Sequence, residues 1–407
     1  MLRRFLPGIL FIVLLFALVA SCTGDRRMQW YRGNMHTHSL WSDGDAAPEV
    51  AVDWYRSHGY HFLSLTEHDR LSRAERWFPI EEDSRLTAGR VEQLRERFGT
   101  DWVEVDESHG DPRMRLKTLA ELRDRFEEAG QFRLIEGFEI SDRAEGRPIH
   151  LNVLNPVKLI PTQGGETIVE TLNNSVAAVN DQAQDTGANL LVFVCHPNYR
   201  WAISPEQLAA VEGTPLFEIY NGSTSCNNYG DEEHPGMDEA WDRANTRRLF
   251  QLDLPPLYGI ANDDAHDYFD FTPQHSHPGR GWIMVRAAAL ETDAILDAIR
   301  EGAFYATTGV ELLDVERGRR SYTIHIAAEE GLTYTTQFVG TRLVEGATGE
   351  VGVVLYQTTE NPAVYHYAGD ELYVRARVAS SRWHANAIAG EEAPEYAWTQ
   401  PAVPRRR

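Results

Sequence analysis

The sequence predicts an α/β protein with a parallel sheet, followed by a small antiparallel β domain. Two observations carry this. From Tyr31 to Glu311 short apolar runs alternate with helical stretches that carry their own start and stop signals, and beyond Glu311 the helical period disappears. The number of strand-then-helix units in the first part points to a closed barrel.

The elements read in order as follows. Pro48 opens a helix that Gly59 closes, and Phe62–Leu65 follows as a strand. Thr118–Ala129 reads as an amphipathic helix ended by Gly130, and Phe132–Ile135 as the next strand. Ser204-Pro205-Glu206 is a helix N-cap with proline at the first helical position, and Thr292 caps a helix that stops at Gly302. Further strands are expected at Ile149–Leu154, Leu190–Val194, Leu216–Tyr220, Leu257–Ala261 and Trp282–Val285. Residues 71–117 form a long charged insertion with a helix at Val91–Phe98. In the last part Tyr322–Ile326 and Glu371–Val378 alternate polar and apolar, as half-buried strands of a sandwich do. The expected divisions are 1–21 leader, 22–30 linker, 31–311 barrel and 312–407 β domain.

Composition narrows the function. The chain carries a formal net charge of −22, so its overall field repels a nucleic-acid polymer, although a local metal cluster can still attract a small phosphorylated substrate. Arg3 and Arg4 precede an apolar run, Ile9–Ala20, that is shorter than the ~20 residues needed to span a bilayer. Val19-Ala20-Ser21-Cys22 then ends it. This resembles a bacterial lipoprotein signal, which implies cleavage before Cys22, a lipid on that thiol and a membrane-anchored protein facing out of the cytoplasm, with the outer membrane favoured by Thr23. Cys195 and Cys226 are too few for a disulfide framework or a thiolate zinc site and are expected as free thiols. The sequence names no protein partner.

Histidines and carboxylates recur just past the strands: His36-Thr37-His38 and Asp43, then Glu67-His68-Asp69, Glu139, His150, His196, and Asp264-Ala265-His266. Strand ends of a β/α barrel converge on one rim, so these residues would meet. Residues two apart on an extended strand point the same way, which lets His36 and His38 grip one cation. Glu139 can bridge two. Singly, a His-x-His pair or a histidine at a strand end is as well explained by a surface strand or a satisfied core histidine. Together, so many ionisable groups at one rim need metals to offset their burial. Imidazole and carboxylate without thiolate suit Zn, Mn or Fe.

The ordered motifs resemble the polymerase-and-histidinol-phosphatase (PHP) family of metal-dependent phosphoesterases, from Tyr31 to Glu311. The resemblance implies a distorted seven-stranded TIM-like β/α barrel, (β/α)7, with two or three divalent cations. It places His36, His38, Glu139 and Asp264 on a first metal, Glu139, His150 and His196 on a second, and Asp43, His68 and His266 on a third. Asp43 stands where some members have histidine. His196-Pro197-Asn198-Tyr199, Glu218-Ile219-Tyr220-Asn221-Gly222, Pro278-Gly279-Arg280-Gly281-Trp282 and Ala397-Trp398-Thr399-Gln400-Pro401 resemble a secreted bacterial subgroup with a C-terminal β domain.

The expected chemistry is hydrolysis of a small phosphate ester by metal-activated water, with Glu139, His196 and Asp264 at the reacting centre. Arg280, between two glycines, reads equally as a bidentate grip on the substrate phosphate, the role it takes in the expected chemistry, and as a structural arginine. Tyr199 and Arg200 are candidate pocket residues, and Glu67, Asp69 and His277 are candidate supports or proton donors. Hydrolysis of an amide or carbamate is the alternative within the same chemistry. A non-catalytic metal- or glycan-binding lipoprotein is the alternative outside it.

Overall fold

The computed structural model describes residues 28–108 and 110–405; the expected leader and Cys22 lie outside the described residues. No helix among the described residues is long and apolar enough to cross a membrane.

In chain order the first part comprises β1 (Gln29–Asn34), α1 (Pro48–Ser57), β2 (Phe62–Leu65), β3 (Trp77–Pro79), α2 (Ala88–Phe98), β4 (Val105–Asp106), β5 (Arg113–Arg115), α3 (Leu119–Phe126), β6 (Arg133–Ala144) and β7 (Arg147–Leu154). It continues with α4 (Ile168–Thr186), β8 (Leu191–Val194), α5 (Pro205–Ala209), β9 (Leu216–Asn221), α6 (Met237–Arg247), β10 (Tyr258–Asn262), β11 (Trp282–Ala287), α7 (Thr292–Arg300) and β12 (Phe304–Thr307). The last part is all strand: β13 (Leu312–Arg317), β14 (Ser321–Ile326), β15 (Tyr334–Val344), β16 (Ala347–Thr348), β17 (Val353–Thr358), β18 (Ala363–His366), β19 (Glu371–Trp383) and β20 (Pro394–Thr399).

The protein is mixed α/β, built on a long sheet ordered β10-β9-β8-β7-β6-β2-β1-β11-β12-β20-β19-β15. The expected parallel sheet is parallel only in part. Strands β1, β2 and β6 pair in parallel, as do β8, β9 and β10, but β7 is antiparallel to both neighbours. The cause is local. β6 and β7 are joined through Glu145 (φ 51°) and Gly146 (φ 77°), a two-residue turn of the left-handed kind that closes hairpins. Two residues cannot make the crossover that a parallel partner requires. Among the described residues no ladder joins β10 back to β1. Their ends meet through an isolated bridge, Thr37 to Ala265, with His38 N donating to Ala265 O (2.9 Å) and Asp264 N to His36 O (2.9 Å).

Helix ends follow their capping chemistry. Thr118 and Ser204 each form a reciprocal capping box, with Glu121 and Gln207 respectively. Helix α3 stops at Phe126, short of Ala129, because Glu127 leaves the helix and accepts from Leu134 N at 2.9 Å. The cap of α7 is Glu291 rather than Thr292. The insertion folds as a small sheet, β3-β5-β4, plus α2. Its Phe78, Val91, Leu94, Phe98 and Met114 join the core under α1 and α3.

The β-rich part is two sheets around a shared core. Strands β13-β14-β18 face β15, β19 and β20 across Tyr322, Ile324, Phe338, Val374, Ala376 and Val378. Since β20 pairs with β12, the sheet runs on from the first part without a break. A buried ion cluster adds to the join. Arg375 on β19 places Nη2 2.6 Å from Asp242 Oδ2 and Nη1 2.9 Å from Asp238 Oδ1, both on α6, and Tyr373 Oη donates to Asp242 at 2.7 Å.

Removing one partner from such a cluster strands the others without water. Arg375→Met is therefore expected to lower unfolding free energy by about 3–5 kcal/mol, read by urea denaturation. A loss below about 1 kcal/mol would mean that the cluster is not what ties α6 to β19.

Candidate metal centre

The strand ends deliver the expected residues to one place. His36 and His38 follow β1, His68 follows β2, Glu139 lies within β6 and His150 within β7; His196 follows β8, and Asp264 and His266 follow β10. Glu139 is the hub. Its Oε2 lies 3.3 Å from His36 Nε2, 3.3 Å from His38 Nε2 and 3.2 Å from His68 Nδ1. Its Oε1 lies 2.8 Å from His150 Nδ1 and 3.3 Å from His196 Nε2. Asp264 Oδ1 is 3.1 Å from both His36 Nε2 and His38 Nε2. At the outer edge Asp43 stands 3.4 Å from His68 Nε2 and 3.4 Å from His266 Nε2. His36, His38, Glu139, His196 and Asp264 are buried, His68, His150 and His266 half-buried, and Asp43 exposed.

Two buried atoms here lack a hydrogen-bond partner: His38 Nε2 and Asp264 Oδ1, which face each other. Bonds of ~2.0–2.1 Å to a tetrahedral cation put its donors about 3.3–3.4 Å apart, close to these separations. The donor set fits a divalent cation, and several such groups of donors overlap within the cluster.

Neighbouring groups orient the rings. His36 Nδ1 is 2.8 Å from Glu218 Oε1, His38 Nδ1 3.3 Å from Ser42 Oγ, and His266 Nδ1 2.9 Å from the Asp264 carbonyl. With Nδ1 so engaged, each Nε2 is turned into the cluster, where it would offer a lone pair to a cation once its proton is lost. Glu218 also accepts from His196 N (2.8 Å), Asn221 Nδ2 (2.8 Å) and Asn262 Nδ2 (2.9 Å). Sequence reasoning did not assign it a role. The available signal was an acid in the middle of Leu216-Phe217-Glu218-Ile219-Tyr220, a strand buried throughout.

Backbone strain and a tight turn finish the site. His196 (φ 26°) and Asp264 (φ 48°) occupy the left-handed region, a cost of about 1–3 kcal/mol each that persists where surrounding bonds hold it. Gly44 lets the Ser42-Asp43-Gly44 turn fold back against His38; a Cβ there would sit 2.6 Å from the His38 carbonyl.

Charges inside the cluster stabilise one another. Burial alone would depress the imidazoles, yet Asp264, Glu218 and Glu139 hold His36 well above its usual range, and Asp264 and Glu139 push His38 up to about 10. Burial would raise the carboxylates, but the histidines hold Glu139, Asp264 and Asp43 well below theirs.

Most of the cluster lines a cleft of about 260 Å³ together with Tyr199, Ser223, Ser225, Cys226 and Ser276. Other expectations fare differently. Arg280 is fully buried and does not line the cleft: its guanidinium donates to the carbonyls of Asn386 (2.8 Å), Gly222 (2.8 Å) and Pro273 (3.2 Å). It ties three loops together instead of holding substrate. Arg200 is exposed, 5.2 Å over the Tyr199 ring. Glu67 accepts from Ser39 and Ser42 hydroxyls (2.5 Å each), Asp69 from Ser141 N (3.0 Å), and His277 turns its Nδ1 to the Pro278 carbonyl (3.0 Å), so none of the three faces the cleft. Cys195 and Cys226 are free and buried.

No protein-family model and no curated protein matches the chain. Among solved structures it is similar to a two-domain protein containing a PHP-like metal-dependent phosphoesterase from Bacteroides vulgatus, at 16% identity over 91% of this chain and 95% of that one, with a TM-score of 0.43. A metal-dependent phosphoesterase structure from Bifidobacterium adolescentis shares 15% identity over 57% of this chain and 87% of its own, with a TM-score of 0.29. An amidohydrolase from Chromobacterium violaceum shares 14% identity over 58% and 87% respectively, also at 0.29.

The tying role of Arg280 has a measurable consequence. Arg280→Ala leaves three loop carbonyls without their donor, so thermal or urea unfolding should show a loss of about 2–4 kcal/mol. A variant of unchanged stability whose only defect is a raised KM would restore the substrate-binding role.

Proposed function

We propose that this protein is a metal-dependent phosphoric ester hydrolase acting on small phosphorylated substrates, with two or three divalent cations at the rim of a seven-stranded β/α scaffold. The observation that carries the proposal is Glu139: one buried carboxylate whose two oxygens are shared among five histidines. Beside it His38 Nε2 and Asp264 Oδ1 face each other at 3.1 Å without forming a hydrogen bond. His36, His38, Glu139 and Asp264 would hold one cation, Glu139, His150 and His196 a second, and Asp43, His68 and His266 a third.

Cations so bound supply Lewis acidity toward a phosphoryl oxygen and lower the pKa of water. The chain's own groups do the rest. Glu218 fixes the tautomer of His36 and, through the His196 amide, the strained backbone that aims His196 inward. Tyr199, Ser223, Ser225 and Ser276 also line the cleft, and their hydroxyls would donate to the ester's non-bridging oxygens. The cleft is small and lined mostly by polar groups, which suits a small ester better than a polymer in a chain of net charge −22.

Metal content and pH test the site. The full chain should bind about two to three equivalents of Zn, Mn or Fe, and Glu139→Ala should reduce occupancy at two positions at once, read by elemental analysis. Full metal in that variant would remove Glu139 as the bridge. In the metal-free chain His38 keeps its proton up to about pH 10, so cation binding must expel it. Calorimetry in buffers of different ionisation enthalpy should show proton release, and affinity should rise with pH. For metal-free stability the sign is reversed: the raised His38 pKa contributes fully below pH 6.5 and its contribution is lost as pH rises through about 10.

Chemistry is tested with a panel of phosphomonoesters, phosphodiesters and amides. Phosphoester turnover should vanish on chelation, return with Mn or Zn, and fall by several orders of magnitude in His196→Ala or Asp264→Ala. Turnover of the amides alone would replace the proposal with amide hydrolysis.

A further inference from the structure

The end of the sheet opposite the metal cluster carries a basic depression. β1 and β10 deliver His36, His38, Asp264 and His266 beyond their carboxyl ends, so their first residues, Gln29 and Tyr258, mark the far side. At about 3.3 Å per residue, Tyr258 and Asp264 are roughly 20 Å apart. Tyr258 lines a depression of about 520 Å³ together with Arg317, Arg319, Val403 and Arg405, and Glu301 is the single acid among the described residues around it. Arg317 Nη2 donates to the Gly302 carbonyl at 2.8 Å. Arg319 and Arg320 form the tip of the β13–β14 hairpin, closed by Gly318 N donating to Ser321 O at 2.9 Å. All four arginines are exposed, and none is ion-paired among the described residues. Arg406 and Arg407 follow in the sequence, outside the described residues.

The same face receives the start of β1. Gln29 pairs with Ala287, Arg286 N donates to Ala303 O at 2.8 Å beside Gly302, and Trp30 Nε1 donates to the Leu313 carbonyl at 3.0 Å. Three aliphatic side chains are bared here: Met28 is 48% exposed, Leu313 64% and Val403 49%. Six residues separate Cys22 from Met28, an extended reach of at most about 22 Å. A lipid on Cys22, as the leader leads one to expect, would hold this face close to a bilayer. Cations interspersed with exposed aliphatic groups are what an interfacial surface presents. The net charge of −22 does not oppose this at contact. Charges more than about 8 Å away are largely screened at physiological ionic strength, so the arginines nearest the lipid decide.

We infer that this face docks on a bilayer surface of anionic phospholipid. Arg317, Arg319, Arg320 and Arg405 take headgroup phosphates, while Met28, Leu313 and Val403 enter the interface. The metal cleft then opens away from the membrane, toward solutes in the aqueous phase. A guanidinium presents two parallel N–H donors to a pair of phosphate oxygens, which a solvated point charge cannot do. Phosphatidylcholine carries the same phosphate with a cation beside it, so a preference for anionic over neutral lipid is the signature of these arginines.

The test is hydrogen–deuterium exchange of the full chain carrying Cys22→Ser, which removes the lipid. Vesicles of mixed phosphatidylglycerol and phosphatidylcholine are compared with vesicles of phosphatidylcholine alone. The leader is present in every sample, so its own partitioning cancels. Anionic vesicles should slow exchange severalfold at residues 317–321 and 401–405 relative to neutral ones, and leave residues 36–44 at the metal rim unchanged. Equal exchange at 317–321 on the two kinds of vesicle would overturn the docking. Slowing at 36–44 instead would overturn the orientation.

Arg319→Gln combined with Arg320→Gln changes two exposed hairpin residues and should leave Tm in place. It should lower the ratio of anionic to neutral vesicle affinity at least tenfold, read by sedimentation. Arg405→Gln, on a separate segment, should lower it severalfold. An undiminished ratio in both variants would place the lipid preference elsewhere and overturn the assignment to these arginines. Inorganic phosphate that slows 317–321 and 401–405 as much as the vesicles do would make this a site for a soluble anion and overturn the membrane.

Discussion

One buried carboxylate facing five histidines is the constraint on which the rest of the site depends. Glu139 is charged inside the protein only because imidazoles surround both its oxygens, and those imidazoles are in turn held up by Glu139, Asp264 and Glu218. The arrangement requires side chains from β1, β2, β6, β7, β8 and β10 at one rim, which only a curved sheet can supply. It also explains the strained backbone at His196 and Asp264. Each is fixed by a hydrogen bond to another member of the same cluster, His196 N to Glu218 and Asp264 N to the His36 carbonyl. The strain and the bonds that hold it belong to one network.

What was legible in the sequence follows from where that chemistry sits. His36, His38, His68, His196, Asp264 and His266 come just beyond strand ends, where an ionisable residue after an apolar run has few structural uses; Glu139 and His150 lie inside β6 and β7 but beside the short apolar runs Phe132–Ile135 and Ile149–Leu154 that the sequence marks. Glu218 escaped because it sits inside the apolar run Leu216–Tyr220 itself rather than after one, where a single acid among apolar neighbours resembles noise in the pattern. Arg280 left two readings open. A Gly-Arg-Gly run before a strand looks like a phosphate grip, but the same small neighbours let the guanidinium pass into the interior and meet three carbonyls.

The fold was legible to a similar depth. Runs with clear caps, such as Thr118 and Ser204, mark helices in the right places. Helices α4 and α6 were not foreseen: α4 mixes Asn, Gln and Val along its length, and α6 is mostly polar, so packing rather than propensity decides both. The orientation of β7 was hidden in the conformation of two turn residues, Glu145 and Gly146. Strand direction is a property of the connection, and apolar runs alone do not report it.

The β-rich part reaches the candidate metal centre through its loops. Glu391 accepts from Asn228 N (2.9 Å) and Asn228 Nδ2 (3.1 Å), and Asn228 in turn donates to the Asn221 carbonyl at 2.9 Å. The segment between Asn221 and Asn228 carries Ser223, Ser225 and Cys226, which line the cleft. The Asn386 carbonyl takes a bond from Arg280, whose other donors hold Gly222 and Pro273. With β20 paired to β12 and Arg375 anchored to α6, these bonds connect the cleft wall to the sandwich core. A wall of hydroxyls can orient a substrate only if it stays in place. Here the residues that keep it in place come from the far end of the chain, so the β-rich part acts on the site by supporting it from behind.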